Sequence, residues 1–68
     1  MKQVPGKEFL KILQRRGWVL ARVHGSHHVL VKEGHRERIV IPVHGNKPLK
    51  IGLLKNQMKI AGVTEDDL

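Results

Sequence analysis

The fold is decided by residues 18–32, which read WVLARVHGSHHVLVK. Two runs rich in residues that favour strands, 18–23 and 27–32, lie on either side of the turn residues His24-Gly25-Ser26. Glycine permits a positive φ angle and serine can hold a turn through its hydroxyl group, so the middle of the stretch favours a tight reversal. The stretch therefore predicts a β-hairpin of two short strands.

A third strand is predicted at residues 36–43, after a second turn at Glu33-Gly34-His35. Pro42 has no N–H group to donate to a neighbouring strand, which places it at the end or the edge of this strand. Three short strands at hairpin spacing predict an antiparallel meander.

Apolar residues recur at helical spacing on both sides of the strands. In residues 7–16 the apolar stripe is followed by Gly17, and in residues 50–61 it is followed by Gly62, as is typical of helix ends. In the first helix the residues at helical spacing are Phe9, Ile12, Leu13 and Arg16, and Leu10 widens the stripe; in the second helix the predicted buried stripe is Ile51, Leu54, Met58 and Ala61. The order predicts one two-layer α+β domain over residues 1–68, with two helices packed on one face of a three-stranded antiparallel sheet.

Strand alternation assigns side chains to the two faces of the predicted sheet. In the first strand it places Trp18, Leu20 and Arg22 together on one face. In the second strand it places His27 and His28 on opposite faces. Two histidines that point apart cannot bind one ion, and no carboxylate stands near them in sequence to complete a ligand set. We expect no metal site and no cofactor.

Length and composition indicate a small soluble protein. A chain of 68 residues, 40% of them hydrophobic, buries only about 60% of the surface that its unfolded state exposes. It contains no cysteine, so neither disulfides nor thiolate ligands can stabilise it. No apolar run approaches the ~18 residues of a membrane span, and the N-terminus lacks the apolar segment of a signal peptide. We expect a cytoplasmic protein with no membrane partner.

The charge predicts an anionic partner. The formal net charge is +7, and residues 1–64 hold all thirteen basic residues and only three of the six acidic ones. Nucleic acid is favoured over a membrane surface, because no predicted helix combines a basic face with a large exposed apolar one. An ordinary basic, soluble surface is the alternative.

The turn Gly25-Ser26-His27-His28 is the part of the chain best suited to chemistry, since histidine exchanges protons near neutral pH. A histidine that enters a strand is also held more rigidly than one on a loop. On residue types alone, however, an ordinary turn beside a histidine-rich surface strand is the favoured interpretation.

Four short motifs in order along the chain add a resemblance to these observations. They are Gly17-Trp18, Gly25-Ser26-His27-His28, Ile39-Val40-Ile41-Pro42-Val43-His44, and the segment from Leu53-Leu54 to Ala61-Gly62. Together they resemble the HicA (YcfA-like) family of small toxins over nearly the whole chain. The resemblance implies an α-β-β-β-α fold like that of the double-stranded-RNA-binding domain. It also implies a type II toxin that cleaves mRNA as a metal-independent endoribonuclease and is neutralised by a HicB-type antitoxin that covers the active site.

The resemblance also assigns roles to residues. The catalytic histidine of the family falls on His28, within an active-site turn that contains Gly25 and Ser26, whereas His27 occupies a variable place. His44 matches a frequent Pro-x-His motif, and for it a structural loop contact is favoured over catalysis. The sequence departs from the family in Leu30, where an aromatic residue is common, and in a shortened acidic C-terminal helix.

Basic side chains would then meet the RNA phosphates. The candidates for RNA binding are Arg22, Arg36, Arg38, Lys47, Lys50 and Lys55. The only aromatic residues are Phe9 and Trp18, both expected in the core, so no platform for base stacking is predicted and binding should depend on salt rather than on base sequence. A non-catalytic module that binds double-stranded RNA is the alternative function. The third interpretation, one half of a complex with an acidic antitoxin, is compatible with a nuclease.

Overall fold

The computed structural model describes residues 2–68. Its elements are α1 (Gly6–Arg15), β1 (Val19–His24), β2 (His27–Val31), β3 (Ile39–Pro42), α2 (Ile51–Ala61) and a final 3-10 helix at Glu65–Asp67. The three strands form one antiparallel sheet in the order β1-β2-β3. The predicted α-β-β-β-α order is confirmed. Within the described part of the chain, neither helix is long and apolar enough to cross a membrane.

The core lies between the helices and one face of the sheet. Leu30 in β2 pairs with Ile39 in β3, and both side chains are fully buried. They belong to a single cluster with Phe9 and Leu13 of α1 and with residues of α2. The other face of the sheet carries the side chains of the alternate residues, which the helices leave open.

The end of α1 explains why β1 begins one residue later than predicted. Gly17 has a φ angle of 93°, and its N–H group donates to the carbonyl oxygen of Gln14 at 3.1 Å, while the Trp18 N–H group donates to that of Leu13 at 3.0 Å. These two bonds form a Schellman motif, which a glycine in the left-handed region permits. Trp18 was predicted in the first strand, but its N–H group completes the helix end and its side chain, 2% exposed, belongs to the core.

A bulge in β1 changes the predicted assignment of its side chains to faces. Leu20 pairs with Leu30 and Val23 pairs with His28, and the register shifts between Leu20 and Arg22. One extra residue in β1 therefore puts Val23, rather than Arg22, on the same face as Leu20. The expectation that Leu20 and Arg22 share a face is wrong, because strict alternation takes no account of a bulge.

Two further expectations are corrected by where the elements begin. The third strand covers Ile39–Pro42 instead of residues 36–43, so residues 36–38 belong to the connection between β2 and β3. Pro42 does end an edge strand, as predicted. In α2 the buried residues are Leu54, Gln57, Met58 and Ala61. Ile51 was expected among them but is 40% exposed, because it opens the first turn of the helix.

Polar contacts join the ends of the two helices. The Arg16 guanidinium donates from Nη2 to the carbonyl oxygen of Gly62 at 2.9 Å, and Nη1 lies 3.5 Å from Oδ1 of Asp67. Asp67 in turn accepts a hydrogen bond from the Thr64 N–H group at 2.9 Å. The Lys32 ammonium at the end of β2 donates to the carbonyl oxygen of Arg16 at 2.8 Å. The C-terminal turn is therefore fixed to α1 through Arg16.

Candidate active site at the turn between β1 and β2

His28 occupies the second position of the central strand. Its Cα partners are Val23 in β1 and Ile41 in β3, so the backbone of His28 is held from both sides. The cross-strand partners share a face, and Ile41 is fully buried in the core. His28 therefore points to the helix side of the sheet, where its side chain is partly buried.

The turn before His28 fixes the imidazole through a main-chain carbonyl group. Nδ1 of His28 lies 3.1 Å from the carbonyl oxygen of Ser26. The same oxygen accepts a hydrogen bond from the Val43 N–H group at 2.8 Å, just after β3. A carbonyl oxygen only accepts, so Nδ1 carries the hydrogen in this contact, and in the neutral ring Nε2 has the free lone pair. The imidazole is thus arranged to accept a proton at Nε2.

The turn itself depends on a glycine. His24 pairs with His27, which leaves Gly25-Ser26 as a two-residue hairpin loop. Gly25 has a φ angle of 57°, and no residue other than glycine has a positive φ angle in residues 2–68. A positive φ angle at the first loop position alone matches a type II′ turn, which requires glycine there. A Cβ atom at Gly25 would meet nothing within 4 Å, so the requirement is conformational and does not come from packing.

The two adjacent histidines point to opposite faces, as strand alternation predicts. His27 is exposed and pairs with His24 and Pro42 on the face away from the helices. Among the residues that the structure describes, no group of three or more His, Asp or Glu side chains is placed to hold a metal ion.

The candidate arginines lie apart from His28. Arg22 pairs with Val29, on the face of the sheet opposite to His28. Arg36 and Arg38 are exposed in the connection between β2 and β3, which is at the other end of the sheet from the Gly25-Ser26 turn. His28 pairs with Ile41, and Arg38 precedes Ile41 by three residues. Three residues along a strand correspond to about 10 Å.

The candidate lysines lie closer to the His28 end of the sheet. The connection from β3 to α2 leaves the sheet after Pro42 and contains Lys47 and Lys50, both exposed, whereas Lys55 is exposed on α2. Lys7, in the first turn of α1, is also exposed. Its neighbour Gly6 packs so closely on β3 that a Cβ atom there would lie 2.5 Å from the Pro42 carbonyl oxygen, so the first turn of α1 also lies at this end.

His44 is also at this end of the sheet. It follows Val43, whose N–H group binds the Ser26 carbonyl oxygen, and its own carbonyl oxygen accepts a hydrogen bond from the Lys47 N–H group at 3.0 Å. The side chain of His44 is exposed. The main chain at His44 therefore closes a turn, and the role of its side chain stays a prediction.

Comparison with known protein families identifies a relationship over most of the chain. A family model described as HicA toxin of bacterial toxin–antitoxin matches residues 6–63. The matched range contains α1, the three strands, α2 and the whole Gly25-Ser26-His27-His28 turn. No curated protein matches the chain in sequence.

Proposed function

The chain belongs to the HicA toxin family of bacterial toxin–antitoxin systems, and from that premise we propose that it is a metal-independent endoribonuclease that cleaves mRNA with His28 as its catalytic histidine. Membership in the family makes the chain the toxin of such a pair and implies a cognate antitoxin as its partner. The antitoxin is proposed to be of the HicB type, and both are proposed to act in the cytoplasm.

The observation that carries this proposal is the contact between His28 Nδ1 and the Ser26 carbonyl oxygen, at 3.1 Å. It orients a partly buried ring and leaves Nε2 as the nitrogen that can accept a proton. Metal-independent cleavage of RNA needs a base of this kind, because the nucleophile is the 2′-hydroxyl group of the substrate itself. A positioned general base contributes roughly 10²–10⁴-fold to the rate.

In the proposed reaction His28 Nε2 takes the proton of the 2′-hydroxyl group. The 2′-oxygen forms a bond to the adjacent phosphorus while the bond from phosphorus to the 5′-oxygen breaks, and the 5′-oxygen takes up a proton as it leaves. The products are a 2′,3′-cyclic phosphate and a 5′-hydroxyl end. Cationic groups stabilise the negative charge that develops on the phosphoryl oxygens.

The lysines at the His28 end of the sheet are the better candidates for that electrostatic role. Lys7, Lys47 and Lys50 are exposed there, whereas Arg36 and Arg38 are exposed at the opposite end. We assign the arginines of that connection to the RNA backbone farther from the cleaved bond. Phe9 and Trp18 are buried in the core, at 0% and 2% exposure, so phosphate contacts rather than base stacking are proposed to provide the affinity.

The test uses end-labelled RNA in EDTA with three proteins: the parent chain, His28→Ala and His27→Ala. His27 is the matched control, because it is the adjacent histidine of the same strand and points to the other face. The parent and His27→Ala are expected to cut, while His28→Ala binds RNA without cutting. Products with 5′-phosphate ends, or cutting by His28→Ala, would contradict the mechanism.

The alternative function is a non-catalytic module that binds double-stranded RNA. The contact between His28 and Ser26 would then serve only to hold the hairpin turn. Binding of RNA by the parent chain and by His28→Ala, with cleavage by neither, would favour this alternative.

A further inference from the structure

His24 and His27 face each other across the hairpin, on the side of the sheet that the helices leave open. They are direct Cα partners and form the last pair before the Gly25-Ser26 loop. The sequence assigned His24 to the turn, but the structure makes it the last residue of β1. Directly opposed residues of an antiparallel pair share a face and have Cβ atoms about 4.5–5.5 Å apart. The two imidazole groups can therefore reach the same ion.

The rings of His24 and His27 are not engaged by the rest of the chain. Both residues are exposed, and within residues 2–68 neither ring takes part in a hydrogen bond. His28 and His35 differ from them, because each has its Nδ1 beside a carbonyl oxygen, at 3.1 Å and 3.4 Å. Neutral imidazole is the commonest metal ligand in proteins. The pair therefore offers two unoccupied ligands side by side.

The backbone holds the two histidines at a fixed separation. The loop between them has only two residues, and Gly25 gives it a type II′ turn with a φ angle of 57°. On its other side His27 pairs with Pro42 of β3, and the Val43 N–H group binds the Ser26 carbonyl oxygen at 2.8 Å. Ligands on a backbone fixed in this way lose little conformational freedom when an ion binds, which favours binding.

The ligand set selects the kind of ion. Imidazole nitrogens suit Cu²⁺, Ni²⁺ and Zn²⁺, whereas Mg²⁺ and Ca²⁺ require oxygen ligands, and no acidic residue occurs in the sequence between Glu8 and Glu33. Among the residues that the structure describes, no third His, Asp or Glu side chain completes the pair, so water must fill the remaining positions. This favours Cu²⁺, which binds nitrogen ligands most tightly of these ions, over Zn²⁺, which structural sites hold with four protein ligands.

The charge around the pair opposes a cation and limits its affinity. Arg22 pairs with Val29 on the same face of the sheet, and it precedes His24 by two residues in β1. The whole chain has a formal net charge of +7. A positive charge at this distance repels a divalent cation. Removal of the Arg22 guanidinium should therefore strengthen binding of the ion, which is the opposite of its expected effect on RNA.

We propose that His24 and His27 form a two-histidine binding site for Cu²⁺ on the face of the hairpin opposite to His28. The bound ion cross-links the end of β1 to the start of β2. His28 points to the other side of the sheet, so the ion has no part in the proposed cleavage of RNA. An ion that binds the folded chain and not the unfolded one stabilises the fold by mass action. In a chain without cysteine, this link takes the place that a disulfide has in other small domains.

The test titrates the chain, prepared without a histidine tag, with copper(II) chloride alone and measures binding by calorimetry. The variants are His24→Ala and His27→Ala, with His24→Gln and His27→Gln as replacements that keep a polar side chain of similar size. His28→Ala and His35→Ala are the matched controls, because each removes one imidazole group from another part of the fold. Circular dichroism checks that every variant is folded.

We expect the parent chain to bind one Cu²⁺, and every variant at His24 or His27 to bind it at least about tenfold more weakly. The two control variants should bind within about threefold of the parent, and Arg22→Ala should bind more tightly. Saturating Cu²⁺ should raise the Tm of the parent by about 5 °C or more. The Tm of the double variant His24→Ala/His27→Ala should rise by less than about 2 °C.

Three outcomes would overturn the proposal. Equal affinity of the parent and the double variant would show that the ion binds elsewhere, and so would a larger loss with His28→Ala than with His27→Ala. One Cu²⁺ for two chains, with a dimer in light scattering that forms only with the ion, would show that the site belongs to two copies and not to one. None of these measurements uses RNA, so they decide the metal site whether or not the parent chain is a ribonuclease.

Discussion

Nδ1 of His28 lies 3.1 Å from the carbonyl oxygen of Ser26, and this one contact joins the turn between β1 and β2 to the candidate base. The carbonyl oxygen is held in turn by the Val43 N–H group at 2.8 Å. The position of the imidazole therefore depends on all three strands: on the turn that precedes β2, on β2 itself, and on the residue after β3. A variant that keeps this hydrogen bond while removing the base can separate structure from chemistry.

His28→Asn is that variant, because the amide nitrogen of asparagine can replace Nδ1 as the donor to Ser26 but offers no base at the position of Nε2. We expect its free energy of unfolding to stay within about 0.5 kcal/mol of the parent, whereas His28→Ala loses about 1 kcal/mol with the hydrogen bond. Both variants are expected to cleave RNA at least about 100-fold more slowly. Urea unfolding and single-turnover cleavage measure the two effects, and an active His28→Asn would refute the role of base.

Gly25→Ala tests the turn. The φ angle of 57° suits glycine, and a side chain in that region costs about 1–2 kcal/mol. The matched control is Gly52→Ala in α2. Its Cβ atom would also meet nothing within 4 Å, but Gly52 has no positive φ angle. There alanine should stabilise the helix by roughly 0.5–1 kcal/mol. In urea unfolding, Gly25→Ala should lower the free energy of unfolding and Gly52→Ala should raise it. If both variants lowered it, the added methyl group at Gly52 would have to clash with its surroundings.

Gly6→Ala tests the close approach of α1 to β3. A Cβ atom there would lie 2.5 Å from the Pro42 carbonyl oxygen and 3.2 Å from Cγ2 of Val43. The first turn of α1 must move away from the His28 end of the sheet, although alanine is otherwise the better helix former. We expect a loss of about 1–3 kcal/mol, as for other overpacked sites. An increase in melting temperature would show that this end of α1 is free to shift.

Arg16→Ala tests the link between the two helix ends. Arg16 donates to the Gly62 carbonyl oxygen at 2.9 Å and lies 3.5 Å from Asp67. The variant should lose about 1 kcal/mol, mostly through the contact with the carbonyl group. Asp67→Asn should lose less than about 0.5 kcal/mol through the ion pair, because both side chains are partly exposed. Equal losses in thermal unfolding would mean that the ion pair, not the carbonyl contact, carries the stabilisation.

The order of the elements was predictable because each is marked by local periodicity and by a glycine at its end. The Schellman motif at Gly17 and the hairpin at Gly25 follow from single residues whose φ angles are positive. The faces of β1 were not predictable, because the bulge between Leu20 and Arg22 depends on pairing with β2. For the same reason the placement of Leu20 and Val23 on one face of β1 could not be read from alternation.

The candidate site was predictable only in part. On residue types alone an ordinary turn was favoured at Gly25-Ser26, and His28 was singled out by the resemblance to a family. The contact with the Ser26 carbonyl oxygen is a property of the folded backbone, so no pattern of residues indicates it. The grouping of the cations likewise depends on where β3 begins. Arg36 and Arg38 were expected on that strand, but they precede it and lie at the end of the sheet away from His28.

The separation of the cations gives a last prediction. Arg36→Ala/Arg38→Ala and Lys47→Ala/Lys50→Ala each remove two positive charges, from opposite ends of the sheet. If each cation neutralises one phosphate, removing either pair lowers the slope of log affinity against log salt concentration by about 1.4 for single-stranded RNA. At saturating RNA, however, only the lysine pair should slow cleavage, by about tenfold or more, because of these two pairs only the lysines lie at the His28 end of the sheet. Salt titrations of RNA binding check the first effect, and single-turnover cleavage rates with the same RNA check the second. If only the Arg36→Ala/Arg38→Ala variant cleaved more slowly, the reacting phosphate would have to lie at the opposite end of the sheet, away from His28, and the prediction would be wrong.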